Sequence, residues 1–137
     1  MAVALLLITH DSIGSSLFAT AVNMLGVSPI ASKNLVVTQH MDIEQGLILA
    51  SQMCNELDEG DGVLVVTDIY GSTPSNIAAK LIEAVPDRQK IIVTGVNLPM
   101  LVRIMNYAYL NLPDLADKAC SSASDSIFII DKPVDCN

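Results

Sequence analysis

Short runs of aliphatic and β-branched residues alternate with longer stretches of helical periodicity along almost the whole chain. "AVALLLIT" (2–9), "NLVVTQ" from Asn34, "GVLVVTD" from Gly62 and "KIIVTGV" from Lys90 read as strands. The third is apolar throughout, like a strand covered on both faces. Between them, residues 12–25 read as a helix closed by Gly26, and Asp42 is placed to cap a helix reaching about Leu57. A helix over about 74–85 follows the third strand. "LPMLVRIMNYAYL" (98–110) reads as a helix with Pro99 in its first turn, and Pro113 opens another. "SIFII" from Ser126 reads as a last short strand.

Strands separated by helices at this spacing need right-handed crossovers, and so a mainly parallel sheet. The fold class that follows is α/β: a doubly wound sheet covered by helices on both faces, in one domain spanning 1–137. No linker, repeat or low-complexity tract interrupts the pattern. The chain is 51% hydrophobic but only 4% aromatic, with no Trp, so its core is built from Leu, Ile, Val, Ala and Met.

Fifteen acidic residues against seven basic give a net charge of −8. Nucleic acid and anionic membrane surfaces demand clustered Lys and Arg, and are not the expected partners. A protein with a basic face is. No apolar run approaches the length of a membrane span. "MAVALLLI" lacks a basic leading region and runs into His10, so it reads as a buried strand and not as a signal peptide. Cys54, Cys120 and Cys136 are odd in number, widely spaced and match no metal-site spacing. Reduced thiols in the cytoplasm are the expectation.

In doubly wound sheets, ligands bind outside the C-terminal ends of the strands, where the strand order reverses. Strand one ends in Thr9-His10-Asp11, strand three in Thr67-Asp68 and strand four in Thr94-Gly95. A lone histidine at a strand end is ordinarily a capping or hydrogen-bonding residue. With a carboxylate on the same rim it becomes more: an Asp68 bound to one ring nitrogen would fix the His10 tautomer and free the other lone pair. The imidazole is then a general base or a nucleophile.

Past Asp68, "IYGSTPSN" (69–76) supplies a turn glycine, Gly71, two hydroxyls, Ser72 and Thr73, and a helix start whose amides favour an anion. An ordinary helix cap looks the same; next to a nucleophilic histidine such a cradle implies a phosphoryl group. "DSIGSS" (11–16) offers a second set, with Asp11 and Ser12 as candidate contacts and Gly14 leaving the approach open. Asp11 can equally be no more than a helix-start charge. His40 reads as a loop residue near the rim, Tyr70 as a residue over the pocket or filling a gap, and Asn97, Leu98 and Pro99 as its wall. No nucleotide-binding glycine motif or nucleophile elbow is present, and no metal or cofactor is expected.

The combination of "ITHDSIG", "TDIYGSTPSN" and "GVNLPML" resembles the mannose-type enzyme IIA components of the bacterial phosphoenolpyruvate-dependent sugar phosphotransferase system, over nearly the whole chain from Ala2 to about Ile130. That resemblance implies that His10 takes a phosphoryl group from the phosphocarrier protein HPr and that Asp68 orients it. Thr73 falls where the family commonly has Ser or Thr near the phosphate, and Ser72 where it often has a second Gly. It further implies a cytoplasmic homodimer exchanging a C-terminal strand, with "SIFII" as the matching segment. The acceptor is expected to be a separate IIB protein or a regulator that reads the phosphorylation state, with the membrane reached only through a permease complex. Three other readings fit the pattern less closely. They are the phosphocarrier subunit of a dihydroxyacetone kinase, a receiver-like domain phosphorylated on Asp68, and a module that merely binds an anion.

Overall fold

A computed structural model of the chain describes residues 2–84 and 89–133. In chain order it holds β1 (Ala4–His10), α1 (Ile13–Leu25), β2 (Ser32–Val37), α2 (Ile43–Leu57), β3 (Val63–Thr67), α3 (Thr73–Ala84), β4 (Lys90–Thr94), α4 (Leu98–Asn106) and α5 (Leu112–Asp125). The four strands form one sheet in the order β2-β1-β3-β4, all parallel. The expected α/β architecture is therefore the observed one.

Alternation along the strands sorts side chains between two helical layers. Leu5, Leu7, Leu64 and Val66 join residues of α4 and α5 in one core; Ala4, Leu6, Ile8, Val63 and Val65 join α2 and α3 in the other. β1 and β3 are covered on both sides, which is why they read as unbroken apolar runs. The cores contain no Trp, Phe or Tyr among their fully buried members, in keeping with the composition.

The local signals act as the residue chemistry demands. The Asp42 carboxylate accepts from the Gln45 amide at the start of α2, and Gly26 closes α1 with its amide on Val22 O. α4 stops at Asn106, short of Leu110, because a new helix must begin directly afterwards: Asn111 caps α5 by accepting from the Asp114 amide. Pro113 thus occupies the first turn of α5 instead of opening it. Val85, the expected end of α3, and Cys136 lie outside the described residues. Cys54 is buried in the core and Cys120 is exposed on α5.

The last expected strand does not form within the single chain. After Ser126, residues 127–130 are irregular, pair with no strand among the described residues, and leave Ile127, Phe128, Ile129 and Ile130 exposed, Ile129 by 90%. The apolar run is real, but within the single chain it stays unpaired and exposed.

Candidate functional site

The strand order reverses between β1 and β3, and their tips carry His10 and Asp68. β1 pairs with β3 through Ile8 and Thr67, so the two residues beyond that pair, fifty-eight positions apart in sequence, emerge side by side. Asp68 Oδ2 accepts from the His10 backbone amide at 2.9 Å and lies 2.8 Å from His10 Nδ1. Asp68 Oδ1 accepts from the Ile69 amide at 3.0 Å. Every group that reaches this carboxylate from His10 and Ile69 is a donor, so Nδ1 carries the proton and Nε2 keeps its lone pair. The Asp68 side chain is 11% exposed and that of His10 is 41% exposed. An imidazole held from beneath and open above can be reached by another macromolecule.

Burial is the largest influence on Asp68 and alone would raise its pKa. The hydrogen bonds from the His10 amide and ring, the electrostatic attraction of that ring, and the adjoining backbone together outweigh it, holding the carboxyl below its ordinary value of 3.8. A lowered carboxylate adds stability that is fully present above the ordinary value and is lost as the pH falls through the folded one. In chemical denaturation, the stability gap between wild type and Asp68→Asn is thus expected to hold steady near neutrality and to narrow below about pH 4. A gap unchanged into acid would contradict an ionised Asp68 partner.

The segment after Asp68 makes a tight turn into α3. Gly71 has φ of +83°, a left-handed conformation that an L side chain adopts only with strain. Ser72 caps the helix through its backbone, its carbonyl accepting from the Asn76 amide. Its hydroxyl is used otherwise than expected, donating to Ile69 O at 2.7 Å and stiffening the turn. Thr73 is the first helical residue, and Pro74 follows it. First-turn amides have no intrahelical acceptor, so those of Thr73 and Ser75 face the start of the helix, beside the His10 rim.

The second set of donors is narrower than the sequence suggests. The Asp11 amide donates to Val37 O at 3.0 Å, and that of Gly14 donates to Thr9 Oγ1 at 2.9 Å, so neither is open to an anion. Ser12 is the N-cap of α1, yet its side chain makes no capping bond. Asp11 is exposed and holds φ of +46°, the one non-glycine in the left-handed region among the described residues. Its carboxylate would repel a phosphoryl dianion.

Gly14 has a packing role that the sequence did not disclose. A Cβ there would lie 2.5 Å from Thr9 Oγ1 and 3.1 Å from Thr9 Cγ2, and Thr9 is buried. Gly14→Ala is expected to lower stability by about 1–3 kcal/mol through this overpacking, read as a reduced urea midpoint with an unchanged slope.

Of the remaining candidates, Tyr70 is 83% exposed and covers nothing. Asn97 caps α4, accepting from the Met100 amide, and donates to Ala123 O at 3.4 Å, which ties the wall of the rim to α5. His40 lies in the exposed turn between β2 and α2. Among the described residues, no group of three His, Cys, Asp or Glu is arranged to hold a metal ion, and no helix is long and apolar enough to cross a membrane.

A family model described as "PTS system fructose IIA component" matches residues 4–119. Among solved structures, the mannose/sorbose-specific IIA subunit of the phosphotransferase system from Enterococcus faecalis superposes with a TM-score of 0.86. It is 22% identical, over 99% of this chain and 100% of that one. The PTS IIA protein associated with the fucose utilization operon of Streptococcus pneumoniae gives 0.76 at 24% identity, over 94% and 96%. A sigma-54 interaction domain protein from Enterococcus faecalis gives 0.77 at 19% identity, over 90% and 92%. The structural likenesses establish a shared fold, and the match to the family over most of the sequence goes further: this chain belongs to the IIA component family of the sugar phosphotransferase system.

Proposed function

We propose that the protein is a cytoplasmic phosphocarrier whose His10 Nε2 accepts a phosphoryl group from phosphorylated HPr and passes it to a IIB protein. The observation that carries this reading is the His10 Nδ1 to Asp68 Oδ2 contact of 2.8 Å beneath a ring that is 41% exposed. Nε2 attacks phosphorus in line as the P–N bond to the donor histidine breaks, and the donor imidazole leaves with that electron pair. The His10 Nδ1 proton stays in place throughout. The phosphorylated ring is then cationic, and the Asp68 carboxylate stabilises it.

Gly71, Ser72 and Thr73 shape the start of α3, whose free amides and dipole favour the transferred oxygens. Ser12 contributes a hydroxyl from the opposite side, and Asp11 limits how firmly the dianion is held. The reading includes a homodimer: the exposed apolar residues 127–130 and the open edge of β4 support exchange of the C-terminal segment between copies.

Incubation with phosphoenolpyruvate, enzyme I and HPr tests the proposal. The expected product is an acid-labile, base-stable adduct on His10. An acid-stable adduct, or none, would contradict it. The likeness to a sigma-54 interaction domain protein favours a second use of the same chemistry, in which a regulator reads the phosphorylation state. Phosphorylation-dependent binding of a transcriptional regulator, without transfer to any IIB protein, would establish that use.

A further inference from the structure

A cleft of about 730 Å³ runs along the α4–α5 pair, and no step of the transfer described above uses it. The Ser122 hydroxyl donates to Pro99 O at 3.2 Å, and Asn97 donates to Ala123 O at 3.4 Å. The end of α5 therefore lies level with the start of α4. Asp125 stands at that end of the cleft, Tyr107 and Tyr109 stand at the other, and Arg103 lies between them. At 1.5 Å per residue, the wall from Pro99 to Tyr107 is about 12 Å long.

The polar groups of the cleft are left free by the rest of the chain. Among the described residues, the Asn106 amide and the Asp125 carboxylate make no side-chain hydrogen bond or ion pair, and the Arg103 guanidinium has no carboxylate partner. Arg103 rests instead over the Tyr107 ring, 5.6 Å from its centroid, and Lys118 lies 4.6 Å from the same centroid. Two cations thus hold that ring in place. The Tyr109 ring is 6.0 Å away, tilted by 39°, and 77% of this residue is exposed. One fixed ring and one open ring form an aromatic corner at the foot of a cleft with free polar groups above it.

The charge and spacing of these groups select among ligands. One Arg and one Asp line the cleft, so they favour neither a phosphate nor a cation. A free amino acid also carries one charge of each sign, but its two charges sit on neighbouring groups. Arg103 is a full turn below Pro99 and Asp125 lies beyond the level of Pro99, so the protein charges are too far apart to meet both. A pyranose suits the arrangement. Its C–H face is apolar and lies flat on an aromatic ring, while its hydroxyls each donate and accept. They can donate to the carboxylate, accept from the guanidinium and do either with the amide.

We propose that the α4–α5 cleft binds a neutral oligosaccharide of two or more rings, stacked on Tyr109 and Tyr107 and hydrogen-bonded to Arg103, Asn106 and Asp125. The volume and length of the cleft exceed what one ring fills. This site is separate from His10 and does not depend on the phosphocarrier reading.

The full chain, ¹⁵N-labelled, is titrated with maltose, cellobiose, lactose, sucrose and melibiose, and with glucose 6-phosphate and arginine for comparison. At least one disaccharide is expected to shift the resonances of Arg103, Asn106 and Tyr109 in a saturable way and to change tyrosine fluorescence. Tyr109→Ala and Asp125→Ala, both at exposed positions, should each weaken that binding at least tenfold. Tyr109→Phe should stay within twofold of wild type, because the ring supplies the contact. Tyr70→Ala, which removes the other highly exposed tyrosine, should bind as wild type does. Transfer from phosphorylated HPr should be unchanged in Tyr109→Ala, which separates this site from the one at His10.

No saturable shift with any of the five disaccharides would overturn the proposal, as would undiminished binding in Tyr109→Ala. Saturable binding of glucose 6-phosphate or arginine in their place would overturn the class of ligand assigned. A change of oligomeric state in Tyr109→Ala by light scattering, with no sugar bound by wild type, would show that a second copy of this chain covers the cleft, and would also overturn it.

Discussion

His10→Ala is expected to abolish phosphoryl acceptance, lowering the rate of transfer from phosphorylated HPr by more than about 10⁴-fold, while the fold survives. The residue removed is the bond-forming atom, and no neighbouring side chain can substitute. Among the described residues the other histidine, His40, lies in the turn after β2, away from the Asp68 carboxylate that prepares a ring for attack. The fold should tolerate the change because the imidazole is 41% exposed and fills no core space. The backbone hydrogen bond from residue 10 to Asp68 Oδ2 does not depend on the side chain. Rapid-quench transfer assays alongside thermal unfolding separate the two effects. Label retained in His10→Ala would place the acceptor elsewhere.

Asp68→Asn is expected to slow transfer by about 10²–10³-fold, an effect of the size associated with loss of a positioned proton-holding group. The reason lies in the donor census at this carboxylate. Oδ2 receives the His10 amide and ring, and Oδ1 receives the Ile69 amide. An asparagine must point its NH₂ group at one of these donors whichever way it is turned, so one contact becomes repulsive. If the NH₂ faces the ring, Nδ1 is pressed to become the acceptor and Nε2 takes the proton, which removes the nucleophilic lone pair. If it faces Ile69, the turn leading to Gly71 and α3 is displaced. Either way the stability falls by about 1–3 kcal/mol in addition to the rate. Transfer at the wild-type rate would remove Asp68 from the chemistry.

The layers of this fold were open to inspection in the residues because each central strand carries its burial on both faces. Leu5 to Ile8 and Val63 to Val66 have no polar position to hide, and Asp42 and Gly26 mark helix ends by direct backbone chemistry. His10 and Asp68 could be nominated because both stand at strand tips. That they meet depends on β3 lying next to β1, a neighbour relation that no local pattern encodes.

What escaped the residue pattern was decided by tertiary neighbours. "SIFII" has strand chemistry but pairs with no strand among the described residues of the single chain. The end of α4 was set by a cap five residues later, at Asn111. Gly14 looked like clearance for a ligand and is clearance for Thr9. Ser72 looked like a capping hydroxyl and instead braces the turn through Ile69 O.

The measurement that bears most directly on the relay is the position of phosphorus on the ring. In ¹⁵N-histidine-labelled protein phosphorylated through HPr, nitrogen–phosphorus coupling should place the phosphoryl group on Nε2 of His10, with Nδ1 still protonated. Phosphorus on Nδ1 would mean that Asp68 does not hold that nitrogen when transfer occurs, and the arrangement described for the two residues would be wrong.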